Sequence, residues 1–123
     1  MAVSHPSPRL RLRLVFDGQV MLGPGKADLL GHIRDTGSIA AAGREMGMSY
    51  KRAWTLVEEM NAAFREPLVT RSRGGAKGGG ANLTRTGEAV LDHYRSLEAR
   101  AARAGEAEVA AIQALLRDMS DGK

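Results

Sequence analysis

Side chains that hydrogen-bond to phosphates and base edges cluster within one short segment. Its polar members are Ser49, Tyr50, Lys51, Arg52 and Thr55. Lysine and arginine bind phosphate oxygens, and all of these residue types can reach base edges in a major groove. If the segment forms the N-terminal end of a helix, the pattern predicts contact with double-stranded DNA. The alternative is a capped amphipathic helix whose basic first turn faces solvent.

A helix, a glycine turn and a second helix are predicted to position these side chains. Ser38 and Ser49 each precede a helical segment and are suited to cap its N-terminus. The first helix is built from small residues at 40–43, which lets another helix cross it closely, and Gly47 supplies the turn. Apolar residues of the second helix recur at steps of four, three and four, so one face packs inward: Ala53, Val57, Met60 and Phe64. The arrangement is typical of a helix-turn-helix.

A β-hairpin is predicted directly after the second helix. Residues 68–71 are typical of a strand, residues 73–80 of a glycine-rich tip and residues 81–83 of the returning strand. A hairpin in this place is the wing of a winged helix; the alternative is a plain disordered loop. The glycines match neither a P-loop nor a dinucleotide-binding pattern. Three cations suit phosphate or minor-groove contact: Arg71, Arg73 and Lys77.

The N-terminal part is predicted to add a hairpin and a bracing helix. Residues 1–8 have little reason to order. Residues 9–16 have the period of a strand with one buried face: Leu10, Leu12, Leu14 and Phe16 alternate with Arg9, Arg11, Arg13 and Val15. Asp17-Gly18 predicts a two-residue turn, so residues 19–22 should return as a partner strand. The arginine row is interpreted as a solvated face, with nucleic-acid contact as the alternative. A helix over residues 26–35 then completes a three-helix core, with three side chains inward: Leu29, Leu30 and Ile33.

The C-terminal part is predicted to be a long helix that pairs two copies of the chain. About 33 helical residues would extend roughly 50 Å, which is too long for so small a domain to cover. An uncovered apolar stripe needs a partner, and the same helix of a second subunit is the natural one. A helix folded back on its own domain, or broken at Gly105, is the alternative. The predicted dimerisation residues are Val90, Tyr94, Leu97, Ala101, Val109, Ile112 and Leu116.

Charge and composition narrow the classes of function. Residues 1–85 carry 13 basic and 7 acidic side chains, whereas residues 86–123 carry 5 and 7, so the basic surplus lies with the helix-turn-helix. The absence of cysteine excludes thiol chemistry, and three scattered histidines argue against an enzyme or a metal site. No segment suits a signal peptide or a membrane span, so a cytoplasmic protein is expected. Met46 and Met48 could hold Cu(I), although such methionines are usually core filler.

Residues 10–100 resemble the DNA-binding domain of the ModE family of molybdate-responsive regulators. The resemblance is carried by Ser-Tyr-Lys-x-Ala-Trp at 49–54, the glycine-rich wing at 74–80 and Leu-Thr-x-x-Gly at 83–87. LysR-type regulators are more distantly similar. The resemblance implies a dimeric winged-helix transcription factor that reads a palindromic operator, with Trp54 either touching DNA or packing between helix and wing. The predicted DNA-facing residues are Ser38, Ser49, Tyr50, Lys51, Arg52, Trp54, Thr55, Arg71, Arg73 and Lys77.

The expected fold is mainly α with small β content: a winged helix-turn-helix with an N-terminal β-hairpin and a long C-terminal dimerisation helix. We expect a disordered stretch over 1–8, the DNA-binding domain over 9–85 and the dimerisation helix over 86–123. Full-length ModE members carry oxyanion-binding domains that this sequence does not contain, so no cofactor is expected and the effector stays open. A sequence-indifferent architectural DNA-binding protein and a metal-responsive regulator are the alternative functions.

Overall fold

The computed structural model describes residues 9–17, 21–72 and 80–117. Five helices and two separate antiparallel hairpins follow one another in these ranges, which confirms a mainly α fold with small β content. The elements are β1 (Leu14–Val15), β2 (Met21–Leu22), α1 (Pro24–Thr36), α2 (Ile39–Glu45), α3 (Tyr50–Ala63), β3 (Val69–Ser72), β4 (Gly80–Leu83), α4 (Arg85–Ala104) and α5 (Glu106–Ala114).

Helix α1 braces the helix-turn-helix as predicted. It begins two residues earlier than expected, because Pro24 fits the first helical position, where its missing N–H has no helical partner to lose. It ends at Gly37, which adopts a positive φ of 70° and donates its N–H to the carbonyl of Ile33. The predicted inward residues Leu29, Leu30 and Ile33 are fully buried, and each contributes about 1.5–3 kcal/mol to the free energy of unfolding.

Helices α2 and α3 form the predicted helix-turn-helix. The hydroxyl of Ser38 accepts the Ala41 N–H and that of Ser49 accepts the Arg52 N–H, both at 3.0 Å. Gly47 has a φ of 71° in the turn. The small residues of α2 do permit close packing: a Cβ on Gly43 would lie 3.1 Å from the Cβ of Ala53.

Strands β3 and β4 form the predicted hairpin after α3. Val69 lies opposite Leu83, and the ladder continues to Ser72 opposite Gly80. Strand β4 is fixed to the C-terminal end of α1, because Ala81 donates its N–H to the carbonyl of Gly37 at 2.9 Å. The predicted glycine-rich tip, with Arg73 and Lys77, lies outside the described residues.

The N-terminal hairpin differs from the expectation in length and register. A two-residue turn at Asp17-Gly18 would set Leu14 opposite Met21, whereas the structure pairs Leu14 with Leu22 and Val15 with Met21. In this register Leu22 enters the core and Met21 stays exposed. Gly18 of the predicted turn and residues 19–20 of the predicted partner strand lie outside the described residues. The predicted buried face is also shorter than expected, since Leu10 and Phe16 are exposed.

The C-terminal segment is two helices. Helix α4 ends at Gly105, a residue that weakens helices, and α5 begins at once. The first turns of α4 belong to the core: Tyr94 is 2% exposed and donates its hydroxyl to the carbonyl of Leu12, and Val90 packs against the same cluster. The monomer itself therefore covers these two predicted dimerisation residues. The other five are half-buried or exposed: Leu97, Ala101, Val109, Ile112 and Leu116.

Candidate nucleic-acid interface

The first turn of α3 presents cationic and polar side chains outward. The helix buries Ala53, Leu56, Val57 and Met60 on one face, so residues near its start on the other face must point away from the core. Tyr50 is 54% exposed. Lys51 and Arg52 are exposed and Thr55 is half-buried, as the sequence predicted.

No carboxylate of the described ranges neutralises Lys51 or Arg52 at the start of α3. Within the described ranges, neither forms an ion pair, whereas Lys26, Arg34, Arg71 and Arg95 each contact a carboxylate. A cation that no carboxylate neutralises attracts a polyanion more strongly. The start of α3 therefore has the electrostatics that phosphate binding requires.

Ser38 and Ser49 serve the helices that carry the surface. Each hydroxyl oxygen accepts a backbone N–H at a helix N-terminus, a contact worth about 1 kcal/mol. Ser38 is also held by its neighbour, because its N–H donates to the Thr36 hydroxyl at 3.2 Å. Both serines thus orient the helix-turn-helix, and direct contact of either with DNA stays a prediction.

Trp54 contacts the first strand of the wing. The guanidinium carbon of Arg71 lies 5.5 Å from the centroid of the indole ring, within range for a cation–π interaction. The same guanidinium donates from Nη2 to Glu58 Oε2 at 2.9 Å. Trp54 is nevertheless 38% exposed, so part of the indole stays open to solvent and both places that the sequence left open for Trp54 stay predictions.

Asn61 fixes the start of β3 to α3. Its Oδ1 accepts the N–H groups of Leu68 and Val69 at 2.8 and 3.1 Å, and its Nδ2 donates to the carbonyl of Val69 at 3.1 Å. Three hydrogen bonds from one side chain set the position of the wing relative to α3. Sequence reasoning did not assign this role to Asn61, nor the Arg71 contact to Glu58. The available signal was the spacing of Trp54, Glu58 and Asn61, which places all three on one face of a helix.

The described residues offer little support for a metal site. They contain no group of three or more histidine or carboxylate side chains that could hold an ion. Met46 and Met48 pack against the hydrophobic core, as the core-filler interpretation predicted. In the same ranges, no helix combines the length and apolar character needed to cross a membrane.

Comparison with known proteins places this geometry in a family. The sequence pattern of the bacterial regulatory helix-turn-helix proteins of the lysR family matches residues 27–88. The chain belongs to this lysR family. The matched range runs from α1 through the wing into the first turn of α4, so it contains every element of the candidate interface.

Two relatives each match about two thirds of this lysR-family chain. The molybdenum-pterin-binding protein MopB of Rhodobacter capsulatus is 46% identical over 82 residues, which cover 67% of this chain and 30% of MopB. The DNA-binding transcriptional dual regulator ModE of Escherichia coli K12 is 40% identical over 83 residues, or 68% of this chain and 32% of ModE. The chain thus spans about a third of these relatives, and the resemblance of its helix-turn-helix to that of ModE is confirmed.

One solved structure supports the fold assignment of this lysR-family chain. A chain of the crystal structure of the CbnR_DBD–DNA complex superposes with a TM-score of 0.58 and covers 72% of this chain and 95% of that one. The identity is 24%, so the likeness concerns the fold, which is a winged helix in both.

Proposed function

We propose that this chain is a transcriptional regulator that binds double-stranded DNA sequence-specifically through α3 and the wing. The observation that carries the proposal is the exposed first turn of α3. Tyr50 is exposed there, and Lys51 and Arg52 form no ion pair with a carboxylate of the described ranges. A recognition helix contacts base edges with such N-terminal residues. The name of the relative ModE supports a role in transcriptional regulation. About two thirds of the length of each relative lies outside the alignment, so we propose no molybdenum-related role.

The proposed regulator acts as a homodimer on a palindromic operator. The second half of α4 and all of α5 bury none of their residues against the described part of the chain. Large apolar side chains stay exposed on α5 and just after it, with Ile112 at 63% and Leu116 at 66%. A two-fold axis through these helices would set two α3 helices on half-sites about one DNA turn apart, roughly 34–36 Å. Action on chromosomal DNA also implies the cytoplasm.

Binding by fluorescence anisotropy tests the proposal. The full chain is titrated against DNA from its own upstream region and against a scrambled duplex of equal length, at two salt concentrations. A specific regulator should prefer its operator by about a thousand-fold, and the preference should persist at higher salt. Equal affinities that fall together with salt would instead indicate the architectural alternative.

A pair of charge-matched variants sharpens this test. Lys51→Ala removes a cation from the start of α3, and Arg103→Ala removes one from the exposed surface of α4. Lys51→Ala should weaken operator binding by about 1–3 kcal/mol and reduce the preference over the scrambled duplex. Arg103→Ala should change neither affinity by more than about twofold, since Arg103 lies outside the helix-turn-helix and is not one of the predicted dimerisation residues. Equal effects of both variants would contradict direct readout by α3.

A further inference from the structure

Helix α3 contacts the wing through a stripe of three residues, Trp54, Glu58 and Asn61. They are separated by four and three positions, so they share one face of the helix. Asn61 binds the backbone of Val69, and the other two bind the side chain of Arg71. Val69 and Arg71 are two residues apart on β3, so their side chains project to the same side of the hairpin.

The Arg71 guanidinium is engaged on two of its surfaces. Its Nη2 pairs with the Glu58 carboxylate at 2.9 Å, and its Cζ lies 5.5 Å from the centroid of the Trp54 ring. Arginine suits both contacts, because its planar group combines a fork of donors with a flat face. The pair also neutralises Glu58, a half-buried carboxylate on the helix that would otherwise repel phosphate.

We propose that Arg71 is a positioning residue, which holds the wing against the recognition helix and neutralises Glu58, rather than one of the residues that bind DNA phosphates. The proposal rests on the proposed function for its consequence in DNA binding. The contact itself is a property of the free protein. Glu58 and Trp54 thereby help to set the angle between α3 and the wing. This angle determines which DNA geometry α3 and the wing can contact at the same time.

The free protein provides a test that does not involve DNA. Trp54 is the only tryptophan of the chain, so its fluorescence reports on the environment that Arg71 creates. Arg71→Ala should shift the Trp54 emission maximum while the far-ultraviolet circular dichroism stays that of the wild type. Glu58→Gln, which keeps the shape of the side chain, should shift it in the same direction by a smaller amount. Emission unchanged in both folded variants would overturn the proposal.

DNA binding separates positioning from phosphate contact. A phosphate contact needs only positive charge, so Arg71→Lys would then bind operator nearly as well as wild type, and Arg71→Ala would lower the slope of log affinity against log salt by about 0.9. In the positioning role, lysine lacks the fork and the flat face. Arg71→Lys should therefore lose about as much affinity as Arg71→Ala, tenfold or more, with the salt slope unchanged.

The double variant Arg71→Ala/Glu58→Gln completes the test. If the loss in Arg71→Ala arises partly from an unpaired Glu58 carboxylate, removing that charge should recover at least threefold in affinity relative to Arg71→Ala/Glu59→Gln. Glu59 is an exposed neighbour that controls for the general gain from one less negative charge. Equal recovery in both double variants, or an Arg71→Lys variant that binds like wild type, would overturn the proposal.

Failure of the proposed function can be told apart from failure of this proposal. A wild-type chain that prefers no operator would count against the proposed function, whereas the fluorescence of the free protein would still decide whether Arg71 holds the wing.

Discussion

Gly87 lies directly against the backbone of Leu68, where the N-terminus of α4 meets the base of the wing. A Cβ at position 87 would lie 2.1 Å from the Leu68 carbonyl oxygen. The same carbonyl accepts the Thr84 N–H at 2.9 Å, and the Thr84 hydroxyl caps α4 by accepting the Gly87 N–H. Only glycine permits this approach, which explains the glycine of the Leu-Thr-x-x-Gly segment.

Replacement of Gly87 by alanine should destabilise the protein strongly. The added methyl group meets backbone, which cannot rotate away, so α4 or the wing must shift; overpacking of this kind costs about 1–3 kcal/mol, and we expect the upper end or more. Urea unfolding measures the change. Gly25→Ala is the matched control, because a Cβ at this exposed helical glycine would meet nothing within 4 Å, and it should leave stability unchanged or raise it by up to about 1 kcal/mol. Similar midpoints for both variants would contradict the packing argument.

Asn61→Ala should separate the wing from the recognition helix. The variant removes three hydrogen bonds and leaves the N–H groups of Leu68 and Val69 without their acceptor. We expect a loss of about 2–4 kcal/mol in the free energy of unfolding, together with faster amide hydrogen exchange at both residues. Asn82→Ala, at an exposed asparagine of β4, should change stability by less than about 0.5 kcal/mol. Unchanged exchange at Leu68 and Val69 in Asn61→Ala would show that the strand does not depend on this side chain.

The helical framework could be predicted from the sequence because its signals are local. Caps at Ser38 and Ser49, the turn glycine at 47, and apolar steps of three and four all act within one or two helical turns. The exposed start of α3 followed from the same periodicity. Each of these features appears in the structure at its predicted residue.

Features that depend on tertiary contact could not be predicted in this way. The register of β1 and β2 places Leu14 opposite Leu22, which is buried in the core, and this pairing depends on contacts with residues far along the chain. Tyr94 matches a dimerisation stripe by spacing, yet its bond to Leu12 joins residues 82 positions apart. The pairing of Arg71 with Glu58 is equally non-local, so the sequence alone favours a phosphate contact for an arginine in a wing.

Tyr94 should make the fold sensitive to alkaline pH. Burial, followed by the nearby Glu98 carboxylate, raises the pKa of Tyr94 above its ordinary value of 10.0. The unfolded chain therefore loses the phenolic proton first, so stability is present in full below about pH 10 and falls as pH rises from there to the folded pKa. Tyr94→Phe should flatten this part of the stability curve and cost about 1 kcal/mol at neutral pH through the lost bond to Leu12. Denaturant unfolding between pH 7 and 11 measures both effects.

Tyr50→Phe, at an exposed tyrosine, is the control. In this variant the loss of stability at alkaline pH should persist as in the wild type. An equal flattening of the stability curve in the two variants would rule out Tyr94 as the source of that loss.

A charge on the exposed stripe of α5 should dissociate the proposed homodimer. Ile112 on α5 and Leu116, two residues after its end, are largely exposed in the single chain, so a partner helix that covers them would have to desolvate any carboxylate introduced there. Ile112→Glu should raise the dimer dissociation constant at least a hundredfold, measured by sedimentation equilibrium over a concentration series. Ala107→Glu places the same charge on the opposite side of α5, where a carboxylate stays in water, and the dimer should persist.

The Ile112→Glu variant also tests the link between the dimer and operator binding. Because binding to two half-sites depends on the dimer, Ile112→Glu should also abolish the preference for a palindrome, whereas a single half-site should be bound with unchanged weak affinity. A wild-type chain that sediments as a monomer at all concentrations, or an Ile112→Glu variant that remains a dimer, would place the proposed two-fold axis elsewhere or remove it.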